Sequence, residues 1–266
     1  MKILISGLVL LLSASWINFS TRFHFQDPED MVFPRKEAAR IMSGEFTGLI
    51  SDYYLFSSAV LYSSEENRQG KKRLWAIEAL KIANYLDPYY QEVYWMAGSL
   101  LPWDGFSESA LEILKKSTKF LPRNWKNLMS LGILYYMFKK DNEKAAHYFS
   151  MASRQKGSPK FLTLLASRLY YKADRIELAI IFLKNQLAGC KEESLCGKIE
   201  KRIIGLETIR YLNKKIEAFY ALFGYYPDDL EQLFIARLIP FIPPDPYGGK
   251  YFITKDKKAW TTSNLR

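Results

Sequence analysis

The sequence predicts a mainly α-helical protein: an α-solenoid of stacked helix hairpins behind an amino-terminal apolar helix, closed by a small carboxyl-terminal α+β cap. Three observations predict it. An uncharged apolar run follows Lys2, alanines return every 34 or 35 positions through the middle of the chain, and a Pro- and Gly-rich stretch ends it. Hydrophobic residues make up 48% and aromatics 15% of 266 residues, enough for a substantial core and too much for a disordered chain.

Residues 1–20 read as a signal peptide or signal anchor. Lys2 precedes an apolar stretch from Ile3 to Ile17, and Ser13-Ala14-Ser15 supplies the small residues a signal peptidase needs. With Trp16, Ile17 and Phe19 the run reaches about 17 residues, the lower limit for spanning a bilayer. No Cys follows it, so lipoprotein processing is excluded. A buried core helix has the same composition. A lysine ahead of the run favours a cytoplasmic amino terminus and an exported body. The expected location is the inner membrane facing the periplasm, or the periplasm itself after cleavage, for a Gram-negative source. Residues 21–45 read as a linker.

The repeats span residues 46–190. Ala76, Ala110, Ala145 and Ala179 lie 34, 35 and 34 apart, and each is followed four residues later by Leu80, Leu114, Phe149 or Leu183. Ala83, Ser117 and Ala152 come seven residues after the first three. Positions four and seven apart share a helix face, so each unit carries a small–large–small stripe that lets a second helix approach. Pro88 and Pro122 close two units, because proline cannot continue a helix. The preceding helices carry Tyr94, Ala97, Gly98 and Leu101, then Leu128, Leu131, Gly132 and Tyr135, then Ala166, Ser167 and Tyr170. Gly98 and Gly132 sit inside helices, where glycine costs about 1 kcal/mol relative to alanine, and close helix crossing is the expected compensation.

These positions resemble the tetratricopeptide repeat (TPR), over about residues 46–187. Units 91–124 and 125–159 match well; the first unit has a long polar connection at 64–70, and the last has Ser167 in place of the small glycine. The resemblance implies a partner protein or peptide bound on the concave face lined by the first helix of each unit. Carried over by position, that face holds Trp95, Ser99 and Trp103, then Met129, Ile133 and Tyr136, then Leu164, Arg168 and Tyr171. Pro102 beside Trp103 suggests a distorted helix end. Aromatic residues at helical spacing also suit an ordinary core.

Cys190 and Cys196 have five residues between them, and in an exported body the pair suits a disulfide closing a short loop. Without further ligands they make no zinc site. From 191 to 223 the repeat fades into one amphipathic helix, with Ile199, Ile203, Leu206, Ile209, Leu212, Ile216 and Phe219 on one face. Gly224 stops it. The cap, 224–266, holds a short helix begun by Asp228, proline turns, and a Tyr251-Phe252-Ile253 strand that pairs with Ala259–Thr262. Gly224-Tyr225-Tyr226-Pro227 and Asp245-Pro246-Tyr247-Gly248-Gly249-Lys250-Tyr251 resemble the globular part of type II secretion major pseudopilins, though the pilin-type start is absent. The resemblance implies either a cap for the last repeat or docking to a secretion or pilus machine.

Lys and Arg outnumber Asp and Glu, 38 to 28. The clusters Lys71-Lys72-Arg73, Lys139-Lys140 and Lys255-Asp256-Lys257-Lys258 are short, as on solvated helix faces or surfaces for anionic lipid or acidic protein. No nucleic-acid signature accompanies them. His24 and His147 are isolated, and no H-E-x-x-H, G-x-S-x-G or phosphate loop occurs. The sequence therefore predicts no catalytic residue, no metal and no cofactor. It predicts a non-catalytic protein-binding scaffold or assembly factor of the cell envelope. The alternatives are an accessory of type II secretion or type IV pilus machinery, and an envelope-polymer enzyme with a TPR appendage.

Overall fold

The computed structural model describes residues 34–63 and 71–265, with 71 and 72 as backbone only; the apolar segment 1–20 lies outside these residues. The protein is mainly helical. Among the described residues no helix is long and apolar enough to cross a membrane. The chain divides into two compact units, Met1–Ile113 and Leu114–Arg266.

In the first unit, α1 (Lys36–Ser43) and a 3-10 turn (Gly44–Phe46) lead into α2 (Thr47–Ser63), followed by α3 (Lys71–Leu86), α4 (Gln91–Ser99) and the start of α5 (Ser107–Phe120). Helix α1 replaces the end of the linker expected over 21–45. Its Ala39 packs with Ile82 and Leu86 of α3 and with Ile50 and Tyr54 of α2, and Arg40 Nη1 donates to the Leu86 carbonyl at 2.9 Å. Two buried serines define the α2–α3 hairpin. Ser51 Oγ donates to the Ala83 carbonyl at 3.0 Å and Ser58 Oγ to the Ala76 carbonyl at 2.7 Å. As the donor advances by seven residues the acceptor retreats by seven, which sets the two helices antiparallel. By contrast, Asp52 bonds Tyr90 and Ser58 bonds Met96 Sδ at 4.0 Å, partners equally spaced in sequence, so α4 runs with α2. The Asp52 bond is the first cause that raises the Tyr90 phenol to about 12.

The second unit comprises α6 (Trp125–Met137), α7 (Asn142–Ser153), α8 (Phe161–Lys172), α9 (Ile176–Ala188), α10 (Glu193–Phe223), α11 (Leu230–Ile235), β1 (Tyr251–Ile253) and β2 (Ala259–Thr261). Asn124 and Asp141 cap α6 and α7, accepting from the second or third backbone N–H of their helices. Gly132 receives the Phe149 ring, and Tyr135 stacks on Tyr148 at 5.5 Å. Tyr170 then meets both Ser150 and Phe182, joining α7, α8 and α9.

The repeat is written into the backbone as well as the side chains. The four repeat alanines are each 0–1% exposed, and Leu80, Leu114, Phe149 and Leu183 are buried with them. Gly105, Lys140 and Asp174 adopt positive φ (88°, 54° and 60°), each five residues before a repeat alanine. There the chain turns through the left-handed region and enters the next helix. Asp tolerates this region comparatively well, Lys less so.

Helix α10 buries the face read from its periodicity and ends at Gly224 with φ 78°. The disulfide Cys190–Cys196, with Cα atoms 5.8 Å apart, joins the end of α9 to the first turn of α10. The strands pair antiparallel in the register Tyr251↔Thr261 and Ile253↔Ala259. Asn213 on α10 accepts from Ala259 N–H at 2.7 Å, and Leu265 fills the space over Gly205, so the long helix carries the cap.

Candidate functional site

The nine positions projected onto a concave face have different fates. In the first unit Trp95 lies on α4, 61% exposed, with Ser99 half-buried at the helix end. Trp103 is 64% exposed but not on the helix. The helix stops at Ser99, and Leu100–Gly105 is a turn closed by Trp103 N–H to Leu100 O and Gly105 N–H to Pro102 O. In the second unit Ile133 is exposed on α6, while Met129 and Tyr136 are half-buried beside it.

On α8, Leu164, Arg168 and Tyr171 share one face, as their spacing of four and three requires, and the β1–β2 hairpin meets that face at Tyr171. Trp260 stacks on Tyr171 with centroids 4.2 Å apart and planes 15° from parallel, and the Tyr171 hydroxyl donates to the Ala259 carbonyl at 3.4 Å. Burial first, then the nearby Asp174 carboxylate, hold the Tyr171 phenol well above its usual value. Sequence reasoning missed Trp260 because nothing local to β2 says which helix it meets.

The junction leaves a cleft of about 550 Å³ between α8 and the hairpin, walled by Arg168, Tyr171 and Lys172 on one side and Thr254, Lys258 and Trp260 on the other. Its ends are fixed. Asp174 pairs with Lys258 at 2.6 Å, and Trp260 Nε1 donates to Asn264 at 3.1 Å. Across the hairpin turn, Lys258 N–H donates to Thr254 Oγ1 at 3.3 Å. The turn is the Lys255–Lys258 cluster, all four residues exposed. Arg168 Nε is buried and has no hydrogen-bond partner among the described residues.

Beneath the hairpin, Asp245 builds the turn that delivers it. The residue is 7% exposed, and its carboxylate accepts from Thr261 Oγ1 and from Tyr247 N–H at 2.9 Å. Burial pushes the carboxyl up, but hydrogen bonds from Ser263, Thr261 and the Tyr247 and Gly249 backbone outweigh it and hold the group below its usual value. A Cβ at Gly249 would lie 2.6 Å from Asp245 Oδ2 and 2.7 Å from Ser263 N, which explains the second glycine of the pair.

Compared with known proteins, the chain matches no family model and no curated sequence.

Proposed function

We propose that this chain is a non-catalytic binding protein of the cell envelope, a TPR-like solenoid that presents the first helices of its units to a protein partner. The observation that carries the reading is the recurrence of buried alanines, with left-handed turn residues five positions before three of them, because one hairpin geometry repeated is how stacked units generate a continuous surface. Exposed Trp95 and Ile133 are aromatic and aliphatic anchors of the kind that dominate protein interfaces. The apolar run at 3–17 supplies the membrane tether in this reading, with the body on the periplasmic side.

Photo-crosslinking amino acids at Trp95, Ile133 and Tyr136 in cells test it, with exposed Lys115 and Lys119 on α5 as controls. The expected result is a discrete adduct from the first set alone. Adducts at equal yield from both sets would overturn the surface assignment.

A second reading, an accessory of secretion or pilus machinery, draws on the turn around Asp245, where the Asp-Pro-x-Gly pattern forms one hydrogen-bonded unit. Co-purification of a pilus or secretion component with the detergent-extracted protein is its test.

A further inference from the structure

We propose that the outward face of α2, with the corner between α1 and α2, lies on the bilayer interface, its apolar side chains entering the zone between lipid headgroups and acyl chains. The proposal deepens the membrane-tether part of the reading above and rests on it, but it does not depend on the Trp95 or Ile133 surfaces.

Helix α2 has one charged residue, Asp52, and that carboxylate accepts from the Tyr90 hydroxyl. A helix so apolar all round is expected to be covered on every side. One side is covered: Ser51, Ser58 and Leu61 are buried, and Ile50 and Tyr54 pack on the Ala39 cluster. The other is open. Leu49, Tyr53 and Phe56 follow at spacings of four and three, so they share the outward face, and Phe46 continues the line one turn earlier. With Ile41 and Met42 of α1 they are 56–81% exposed. Six large apolar residues exposed within so short a segment make a patch, unlike the single exposed side chains found on any surface.

Shape and charge point to lipid as the cover. Gly44 turns the chain at φ 50°, and a Cβ at Gly44 or Gly48 would meet nothing within 4 Å, so the corner juts out and offers no groove to a peptide. Around it Arg35, Lys36 and Arg40 are balanced by Glu37, Glu45 and Asp52. Attraction to the bilayer therefore comes from apolar area and not from charge. Tyrosine, here Tyr53, is a residue that favours the headgroup level. The tether supplies the proximity. Residues 18–33 separate the apolar run from Pro34, a span of at most about 55 Å of chain. The first unit is thus confined near the membrane, where a weak contact persists because the bilayer is always within reach.

The test is photo-crosslinking in the full-length chain reconstituted in phosphatidylcholine vesicles. A benzophenone amino acid is placed at Phe46 or Phe56, or at exposed Glu78 of α3 as the control. Adducts with the mass of one phospholipid are expected from Phe46 and Phe56 at about fivefold or more the yield from Glu78. Leu49→Ser/Tyr53→Ser changes exposed side chains only, and is expected to lower the Phe56 adduct about threefold or more with an unchanged circular dichroism spectrum. Ile41→Ser/Met42→Ser, on α1, gives an independent reading, with a fall of about twofold or more expected. Adding phosphatidylglycerol is expected to leave the yields within about twofold, because the patch has no excess of basic residues. Equal yields at all three positions on vesicle-bound chain, wild-type yields in both serine pairs, or adducts that need phosphatidylglycerol overturn the proposal and leave the tether standing. So do adducts between two copies of the chain, which would assign the face to self-association. A chain that fails to float with the vesicles overturns the tether and the proposal together.

Discussion

Gly132 of α6 and Phe149 of α7 form a matched pair: a Cβ built on Gly132 would lie 2.6 Å from Cε1 of the Phe149 ring. Seventeen residues apart, they are the small partner on a first helix and the large residue of the next stripe, and the missing methyl is what lets the ring in. Gly205 and Leu265 show the same closeness at 2.6 Å, but there the intruding atom is the tip of a leucine side chain near the chain end.

Gly132→Ala is therefore expected to destabilise the protein by about 1–3 kcal/mol through overpacking, against the gain of about 1 kcal/mol that alanine brings to an open helix. Gly205→Ala is expected to cost less, because Leu265 has room to turn aside. Urea unfolding of both variants, with Gly132→Ala/Phe149→Leu as a rescue, measures this. A stabilised Gly132→Ala would show that the crossing is looser than described.

Removing the Asp245 carboxylate takes away an acceptor for two side chains and two backbone N–H groups. Asp245→Asn is expected to cost about 1.5–3 kcal/mol in urea unfolding. Because the folded-state value is held below the unfolded one near 3.9, the carboxylate's contribution is present above that unfolded value. It is lost as pH falls through the folded value. Wild type should lose stability more steeply than Asp245→Asn below about pH 4.

The Tyr171–Trp260 stack should couple the hairpin to α8. A double-mutant cycle with Tyr171→Ala and Trp260→Ala is expected to give an interaction energy of about 0.5–1.5 kcal/mol, beyond the separate losses of area. A coupling near zero would mean that the stacked rings add nothing to the contacts that Asn213, Leu265 and the Asp174–Lys258 pair already make with the cap.

Reduction of Cys190–Cys196 should have a modest effect, because the closed loop is short, with a sequence separation of 6. Loop-closure entropy gives about 2 kcal/mol. Thermal unfolding with and without dithiothreitol should show a corresponding fall in Tm that a Cys190→Ser/Cys196→Ser variant reproduces and reductant no longer changes.

The sequence by itself determined the helical class, the stripe Ala145–Phe149–Ala152 and its counterparts, and the buried face of α10 from Ile199 to Phe219. These follow from periodicity, since residues four and seven apart must share a helix face whatever the helix packs against. It marked the first strand of the cap through the Pro and Gly turns that precede it, and the second as its hairpin partner. Three things belong to the tertiary structure alone. Helix α1 is one: nothing in Lys36–Ser43 names its partners, and Ala39 meeting Ile82 and Leu86, with Arg40 donating to the Leu86 carbonyl, fixes it. The left-handed Lys140 is another, since neighbouring helix ends impose that geometry on a residue that does not prefer it. The last is the cleft, where Arg168 and Tyr171 face Trp260 from 89 or more residues away. Spacing along a helix says which residues point together, but what they point at depends on contacts between segments that share no local pattern.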